Sequence, residues 1–463
     1  MTELDEAMRL SRLLAKEKKP LEKNDAYFEG EQPLRFIAPI LERELGYRLS
    51  PIVLNLALFA VDVYDNRLDI EGFRIGSNRS NREADNDVED VWQENLGPFI
   101  HQQAHREGLA LSRAYAMVGP AENEDDAPVI TVESPFDAIH EDDPRTKRVK
   151  HGVKRWTDLD KVQWMTYLHE NGSRTWRRKG RDWVEDEYDT HDFGVCSLVP
   201  LINDARVLGR SRPGKFDQRL GRSVFHPIIS PLDALNKIAS DMMVSAEFHA
   251  LPRRWGTGLT ETDFVDEKTG EALNTYSMIA GRMWGSSSEK AKFGQFPEAA
   301  LTNFHDTIKL LMQIIAMQLG LPSHYLLFQG DNPPSADAIR SSEAQLVKRA
   351  ERKQRALSAG WETVQRLVLL ELGRDQEAKP SMIETLWRDP STPTISQKAD
   401  AIVKLVQVKD NTGRSILPIE QAREDLGYTE QQQGRMADWD EEAQRSPQVT
   451  DAMRTLQRAS GGQ

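Results

Sequence analysis

The segment Gly209-Arg-Ser-Arg-Pro-Gly214-Lys215-Phe216 comes one residue short of a phosphate-binding loop. Such a loop cradles phosphates with backbone N–H groups and a lysine, and the next residue must carry a hydroxyl to hold Mg²⁺. Phe216 carries none, and Asp217, Gln218 and Arg219 do not open an apolar helix, so the segment reads as an Arg/Gly-rich loop. His101-Gln-Gln-Ala-His105 places two imidazoles at i and i+4 on one helical face, as zinc proteases do. Hydrolysis there requires a glutamate directly after the first histidine as general base, and Gln102 cannot take a proton. A pair of exposed or interface histidines is the better reading. The carboxylate runs Glu122-Asn-Glu124-Asp125-Asp126 and Glu141-Asp142-Asp143 lack the spacing of an EF-hand and read as solvated turns. No Gly-x-Ser-x-Gly nucleophile elbow occurs. These patterns point to no enzyme, no cofactor and no metal.

The elements that would carry a function are helical. Residues 226–250 put Ile228, Leu232, Leu235, Ala239, Met242 and Ala246 on one stripe. Residues 298–320 do the same with Leu301, Phe304, Ile308, Leu311, Ile315 and Leu319. Steps of three and four are the period of a helix with one buried face. Some twenty residues each, at about 1.5 Å per residue, makes each helix on the order of 30 Å long. Neither can bury its stripe alone, so they pack on each other or on neighbouring copies, the layout of a ring subunit lining a channel.

Around this pair the expectations are coarser. A first helix over residues 3–18 is stopped by Pro20, and Tyr27 to Pro33 reads as a turn. A second helix follows Pro51. Asp85 to Met117 is mostly helical, split or kinked at Gly97-Pro98, with Asp85 or Asp87 as a cap. Between Val129 and Val199 short strands appear, and Asn171-Gly172 marks a hairpin, so a small antiparallel sheet sits between helices. Residues 203–225 read as an exposed connection, and 251–297 as a small α/β knob. Gly320-Leu321-Pro322 ends one helix, and Gly330 to Ser335 opens another running from about Ala336 to Leu372. Lys348, Arg349, Arg352, Lys353 and Arg355 make that helix locally basic, but the interleaved Glu343, Glu351 and Glu362 favour a salt-bridged surface or subunit interface. Two shorter helices near Gln397–Val408 and Pro418–Leu426 and an acidic stretch from Asp438 to Glu442 follow. The fold class is α+β, mainly α.

Composition sets bounds. A chain of 463 residues with 39% hydrophobic and 29% charged residues suits two to four folded domains. Its longest apolar run, Ile52 to Val61, is too short to span a membrane. The opening MTELDEAMRL does not read as a secretory signal, and the single Cys196 fits a reducing cytosol. A net charge of −13 argues against tight phosphate binding to a duplex.

The order of parts resembles the portal proteins (head-to-tail connectors) of tailed double-stranded DNA phages, of the long-tailed siphophage type found among actinobacterial phages. The matching stretches are Tyr27-Phe28-Glu29-Gly30, Trp92-x-x-Asn95 with His105 to Ala116, and Val199-Pro200-Leu-Ile-Asn203. Gly221-Arg-Ser-Val, Leu232-Asp-Ala-Leu-Asn-Lys-Ile through Pro252, Pro334 to Arg340 and Trp361 follow in order. The resemblance implies a non-hydrolytic ring, commonly of twelve subunits, at one capsid vertex. It implies a wing (1–225), stem helices (226–250 and 298–320), a clip (251–297), a tunnel loop (321–335), a long wing/crown helix (336–375) and a crown (376–463). Tyr325, Gln329, Gly330 and Asn332 would lie nearest the channel axis, with Lys309 on the stem wall. Trp255, Asp263, Phe264 and Trp284 would meet the head-completion adaptor. Double-stranded DNA, the terminase large subunit and the major capsid protein are the other implied partners, and no membrane is. The rival reading is a ring-forming capsid or tail adaptor that conducts no DNA.

Overall fold

Thr2 and Asp5 cap each other's backbone N–H at the start of helix α1 (Glu3–Glu29), the reciprocal arrangement of a capping box. The helix runs straight through Pro20 instead of stopping there. The carbonyl of Lys16, deprived of its partner, lies at an exposed position, while Leu21 and Tyr27 beyond the proline are buried and hold the helix down. It ends at Gly30, with φ 76°, where the Glu31 N–H closes back onto the Ala26 carbonyl at 2.7 Å. The expected turn at Tyr27 is therefore the last turn of a helix. Helix α2 (Leu56–Asp65) starts later than Pro51 suggested, because Asn55 caps it through the Leu58 N–H at 3.0 Å.

The computed structural model describes residues 2–33, 35, 52–76, 86–121, 123, 126–191, 193–207, 218–250, 254–258, 290–295, 301–326, 336–391, 395–409, 415–426, 428, 433–437 and 439–440. Strand β1 (Ile70–Ile75) leads to helices α3 (Asn86–Glu94) and α4 (Gly97–Leu111), split where Gly97-Pro98 predicts. Asp87 sits in the first turn of α3, and Asp85 lies outside the described residues. The helical expectation as far as Met117 is wrong. Ser112, at φ 101°, breaks the chain, and β2 (Arg113–Gly119) follows as the buried centre of a three-stranded sheet.

That sheet has the order β3 (Val129–Glu133), β2, β9 (Leu198–Ile202), all antiparallel. A five-stranded antiparallel meander runs through β4 (Ala138–Asp142), β5 (Val149–Thr157), β6 (Gln163–His169), β7 (Gly172–Lys179) and β8 (Asp182–Thr190), with Asn171-Gly172 turning β6 into β7. Helix α1 covers the meander, burying Ala7, Leu10 and Leu14 against Ile139, Val153, Met165 and Trp176. The end of the 203–225 connection is not exposed: Val224 and Phe225 are core residues.

The long pair appears as α5 (Ile229–Ala250) and α6 (Thr302–Leu319), packed on each other. Ile228 at the head of α5 and Leu319 at the tail of α6 share one core, so the helices run antiparallel. Sequence alone leaves open whether the pair or neighbouring copies cover the stripes, and at this root the protomer covers them itself. Ile228, Leu232, Leu235 and Ile315 are 0% exposed. Further along, Met242, Ala246, Leu301, Phe304 and Ile308 are only half-buried, and Met243 and Leu310 are exposed. Of the insert, β10 (Arg254–Thr257) pairs with β11 (Lys292–Gln295), and the anticipated strand at Tyr276 to Ile279 lies outside the described residues.

Helix α7 (Ala336–Glu371) crosses the core, with Leu346, Trp361, Val364, Leu367 and Val368 each 0% exposed. Strand β12 (Ile383–Trp387), which the sequence reading leaves with the C-terminal part, pairs antiparallel with β1. The chain accordingly divides into two units, Met1–Pro390 and Ser391–Gln463. The second contains α8 (Ile395–Gln407) and α9 (Ile419–Asp425), close to their expected positions. Among the described residues no helix is long and apolar enough to cross a membrane.

Candidate functional site

The segment that follows α6 is held by side chains from three elements. Gly320 takes φ 70° and caps α6, its N–H and that of Leu321 returning to the last-turn carbonyls. A Cβ at Gly320 would stand 2.7 Å from Arg349 Nε, so the glycine is needed for both its conformation and its lack of a side chain. Arg349 of α7 donates to the Gln318 carbonyl at 2.8 Å, and the Tyr64 hydroxyl of α2 donates to the Leu319 carbonyl. The C-terminal carbonyls of a helix carry partial negative charge, which makes a guanidinium the favoured partner there. Burial pushes the Tyr64 phenol above its usual range, so it stays a neutral donor.

Lys353, one turn along α7, is 7% exposed. Its ammonium lies 5.1 Å from the centre of the Tyr64 ring, bonds Asn203 Oδ1 and sits 3.8 Å from the Asp204 carboxylate. Burial lowers its pKa, with Asp204 opposing. The basic face of α7 therefore splits in function. Lys348 and Arg355 pair with Glu351 on the surface, as the interleaved charges suggest, while Arg349 and Lys353 turn inward as structural pins.

Tyr325 closes a single turn, Ser323–Tyr325, behind Pro322. Its hydroxyl donates to Glu343 Oε1 at 2.8 Å and accepts from Arg67 at 2.9 Å. Arg67 is fixed in turn to the Val63 carbonyl at 3.1 Å. Burial raises the Tyr325 pKa, and the Glu343 hydrogen bond adds to it. Of the residues anticipated near a channel axis, Tyr325 is thus tied at its hydroxyl, and Lys309 is exposed on α6. Gln329, Gly330 and Asn332 lie outside the described residues, as do Asp263, Phe264 and Trp284 of the insert. Trp255 lies in β10.

The root of α5 is pinned similarly. Asp233 accepts from the Tyr27 hydroxyl at 2.6 Å, and Asn236 Oδ1 accepts the Leu54 N–H at 2.8 Å. Both helices of the pair are therefore fixed at their shared root, by residues up to 255 positions away in sequence.

A family model described as "Phage portal protein, SPP1 Gp6-like" matches residues 10–446. The chain belongs to the phage portal protein family. The portal protein of Mycobacterium phage D29 is 31% identical over 434 residues, covering 91% of this chain and 85% of that protein. The portal protein of Mycobacterium phage L5 is 30% identical over 436 residues, covering 92% and 85%. Portal proteins are structural components of the phage virion, with a role in DNA packaging.

The chemistry-bearing motifs of this portal chain take structural places. The sequence suggests exposed or interface histidines, but His101 and His105 lie in the core, 3% and 1% accessible. They stack among Trp92, Trp361 and Trp387, with ring centroids 5.3 to 6.1 Å apart. The Trp361 indole N–H donates to His105 Nε2 at 2.9 Å, which takes the lone pair a metal would use, and His101 Nδ1 donates to the Gly97 carbonyl at 2.9 Å. Burial, with His101 adding to it, drives the His105 pKa down to about 3, so it is a neutral core side chain. No second signal in the sequence joins these histidines to tryptophans from the far end of the chain. Asp143 caps its own turn through the Arg145 and Thr146 N–H groups, at 2.9 and 2.7 Å. Glu141 is bound by Arg9 and His151. The Gly209–Lys215 loop and residues 122, 124 and 125 lie outside the described residues.

Proposed function

We propose that twelve copies of this portal chain close into a ring around an open channel, through which double-stranded DNA enters and leaves the capsid. In this reading α5 and α6 are the stem, residues 251–297 the clip that meets the head-completion adaptor, and 321–335 the tunnel loop. Residues 1–225 form most of the wing, α7 spans wing and crown, and the unit from Ser391 belongs to the crown. The terminase large subunit and the major capsid protein dock on the assembled ring at the portal vertex.

The observation that carries the reading is the anchorage of the segment after α6. Arg349, Tyr64 and the Arg67–Tyr325–Glu343 bonds fix it as far as Tyr325. The chain that follows thus leaves from a bonded anchor, which suits a loop that must press on passing DNA without displacing its own base. A net charge of −13 keeps such contact loose, because each neutralised phosphate would add salt-sensitive affinity and slow the duplex.

Deleting Leu326–Asp331 is the test. Ring assembly, read by negative-stain microscopy down the particle axis, is expected to persist, and DNA packaging or retention to be lost. Packaging at the normal level by the deletion ring would remove the loop's role. Particles without a bore wide enough for duplex would remove the channel.

A further inference from the structure

A cavity of about 690 Å³ opens between α7, strand β9 and the β4–β5 turn. Arg148 from the turn and Arg352 and Arg366 from α7 line it. Fourteen positions of α7 separate the two helix arginines, roughly 20 Å at 1.5 Å per residue, so the positive charge forms a strip. Arg148 and Arg352 are exposed and have no ion-pair partner among the described residues. Arg366 donates to the Ala378 carbonyl at 3.0 Å, and burial together with Arg148 beside it weakens its hold on its proton. Arg148 repels Arg366, and a strip of like charge is poorly placed unless something anionic covers it.

The opposite edge of the same three-stranded sheet carries the opposite charge. The sheet order β3-β2-β9 puts the cavity at β9 and the end of β3, Glu133, at the far side. Beside Glu133 stand Asp137, whose N–H closes a turn onto Ser134, and Glu107 of α4, which accepts from the Ser134 hydroxyl. Asp25 and Glu31, at the end of α1, complete the group. Lys154 neutralises Glu133 at 2.6 Å, and Lys18 is the other cation near Asp137. Burial first, and then mutual repulsion, raises the pKa of Asp25, Glu107 and Asp137. This edge, too, holds excess charge that its own protomer does not answer.

We infer that the Arg148–Arg352–Arg366 cleft of one copy receives the Asp25–Glu31–Glu107–Asp137 edge of the next, and that this contact orders the wings around the ring. Complementary patches on opposite edges of one sheet make a head-to-tail contact, the kind that repeats around a closed ring. The inference rests on the ring proposed above and adds its polarity and its residues.

The experiment uses two full-length variants, Arg148→Glu with Arg352→Glu, and Glu31→Lys with Asp137→Lys. Alone, each faces like charge with like, so sedimentation velocity at 0.1 M NaCl is expected to show at least tenfold loss of rings. Mixed one to one, each reversed surface meets its complement and alternating rings re-form. Rings at wild-type level from either variant alone would overturn the inference, as would a mixture of folded variants that stays apart. Should a variant fail to fold, wild-type protein decides. Raising salt from 0.1 to 1 M shortens the screening length from about 10 to about 3 Å. The ring midpoint concentration is expected to rise at least tenfold, and an unmoved midpoint overturns the pairing. Wild-type protein that never forms rings would sink the ring itself, and this contact with it.

Discussion

Helix α7 makes two attachments to the core, and they are built on different physics. In its first half, Arg349 and Lys353 reach a carbonyl, an amide and a ring, and Glu343 receives Tyr325. Two turns further on, Trp361 is 0% exposed and lies against Trp92 and His105, with Val364 and Leu367 behind it. The upper attachment is shape and neutral imidazole. The lower one is a set of directional bonds between charged or polar groups and backbone. A hydrophobic packing resists displacement in every direction but specifies no single atom, whereas a guanidinium on a helix end fixes one carbonyl. The lower station needs that specificity because the segment it holds leads into the proposed tunnel loop.

Removing the largest side chain of the upper station should give the largest effect. Trp361→Ala leaves a cavity among Trp92, His105 and Trp387 and abandons the His105 hydrogen bond, at a cost of about 3–5 kcal/mol. Chemical denaturation of the Met1–Pro390 unit is the measurement, and a loss below about 1 kcal/mol would break the contrast. At the lower station Arg349→Ala should cost about 1.5–3 kcal/mol, the range for a hydrogen bond from a charged donor. Hydrogen exchange should show that loss first in the last turn of α6, before any global change.

Which parts of these stations the sequence announces follows from how local their causes are. The stripes of α5, α6 and α7 repeat every three or four residues and are visible without tertiary knowledge, as is the Asn171-Gly172 hairpin. Strand β2 is not. Its residues Arg-Ala-Tyr-Ala-Met continue a helical composition, and the break is Ser112 at φ 101°, held by Asn203 and Leu220 from distant segments. Pro20 misleads in the other direction, because packing of Leu21 and Tyr27 outweighs one missing hydrogen bond. The His101/His105 pair looks like surface chemistry until Trp361, 256 residues from His105, closes over it. Tyr325 is legible as a loop residue, but its bonds to Arg67 and Glu343 depend on the turn after α2 and helix α7 meeting there.

The two stations should also answer differently to acid. His105 binds its proton near pH 3 when folded and near 6.5 when unfolded, and His140, equally buried, is likewise pushed down to about 3. In that window the unfolded chain binds more protons, so stability falls as pH falls, by roughly 1.4 kcal/mol per pH unit for each imidazole. Above pH 6.5 this dependence vanishes. His105→Gln keeps an acceptor for Trp361 and removes its own contribution, so the slope of unfolding free energy between pH 6 and 4 should drop by about 1.4 kcal/mol per unit. An unchanged slope would mean that His105 is not held neutral by burial.

Tyr325→Phe is the mildest change and the one that separates anchoring from packing. The ring stays, so the contact with the core survives, while the bonds to Glu343 and Arg67 are lost. The net cost is about 0.5–1.5 kcal/mol, and it falls on one turn of chain rather than on the fold. Global unfolding should therefore barely move, while protease cleavage within 327–335 accelerates several-fold. If anchoring were only a by-product of packing, cleavage would not change. If Tyr325 belonged to the fold's main core, the denaturation midpoint would fall with it. A faster cut at constant midpoint is the outcome that fits an anchor whose bonds act on one turn of chain and not on the packing beneath it.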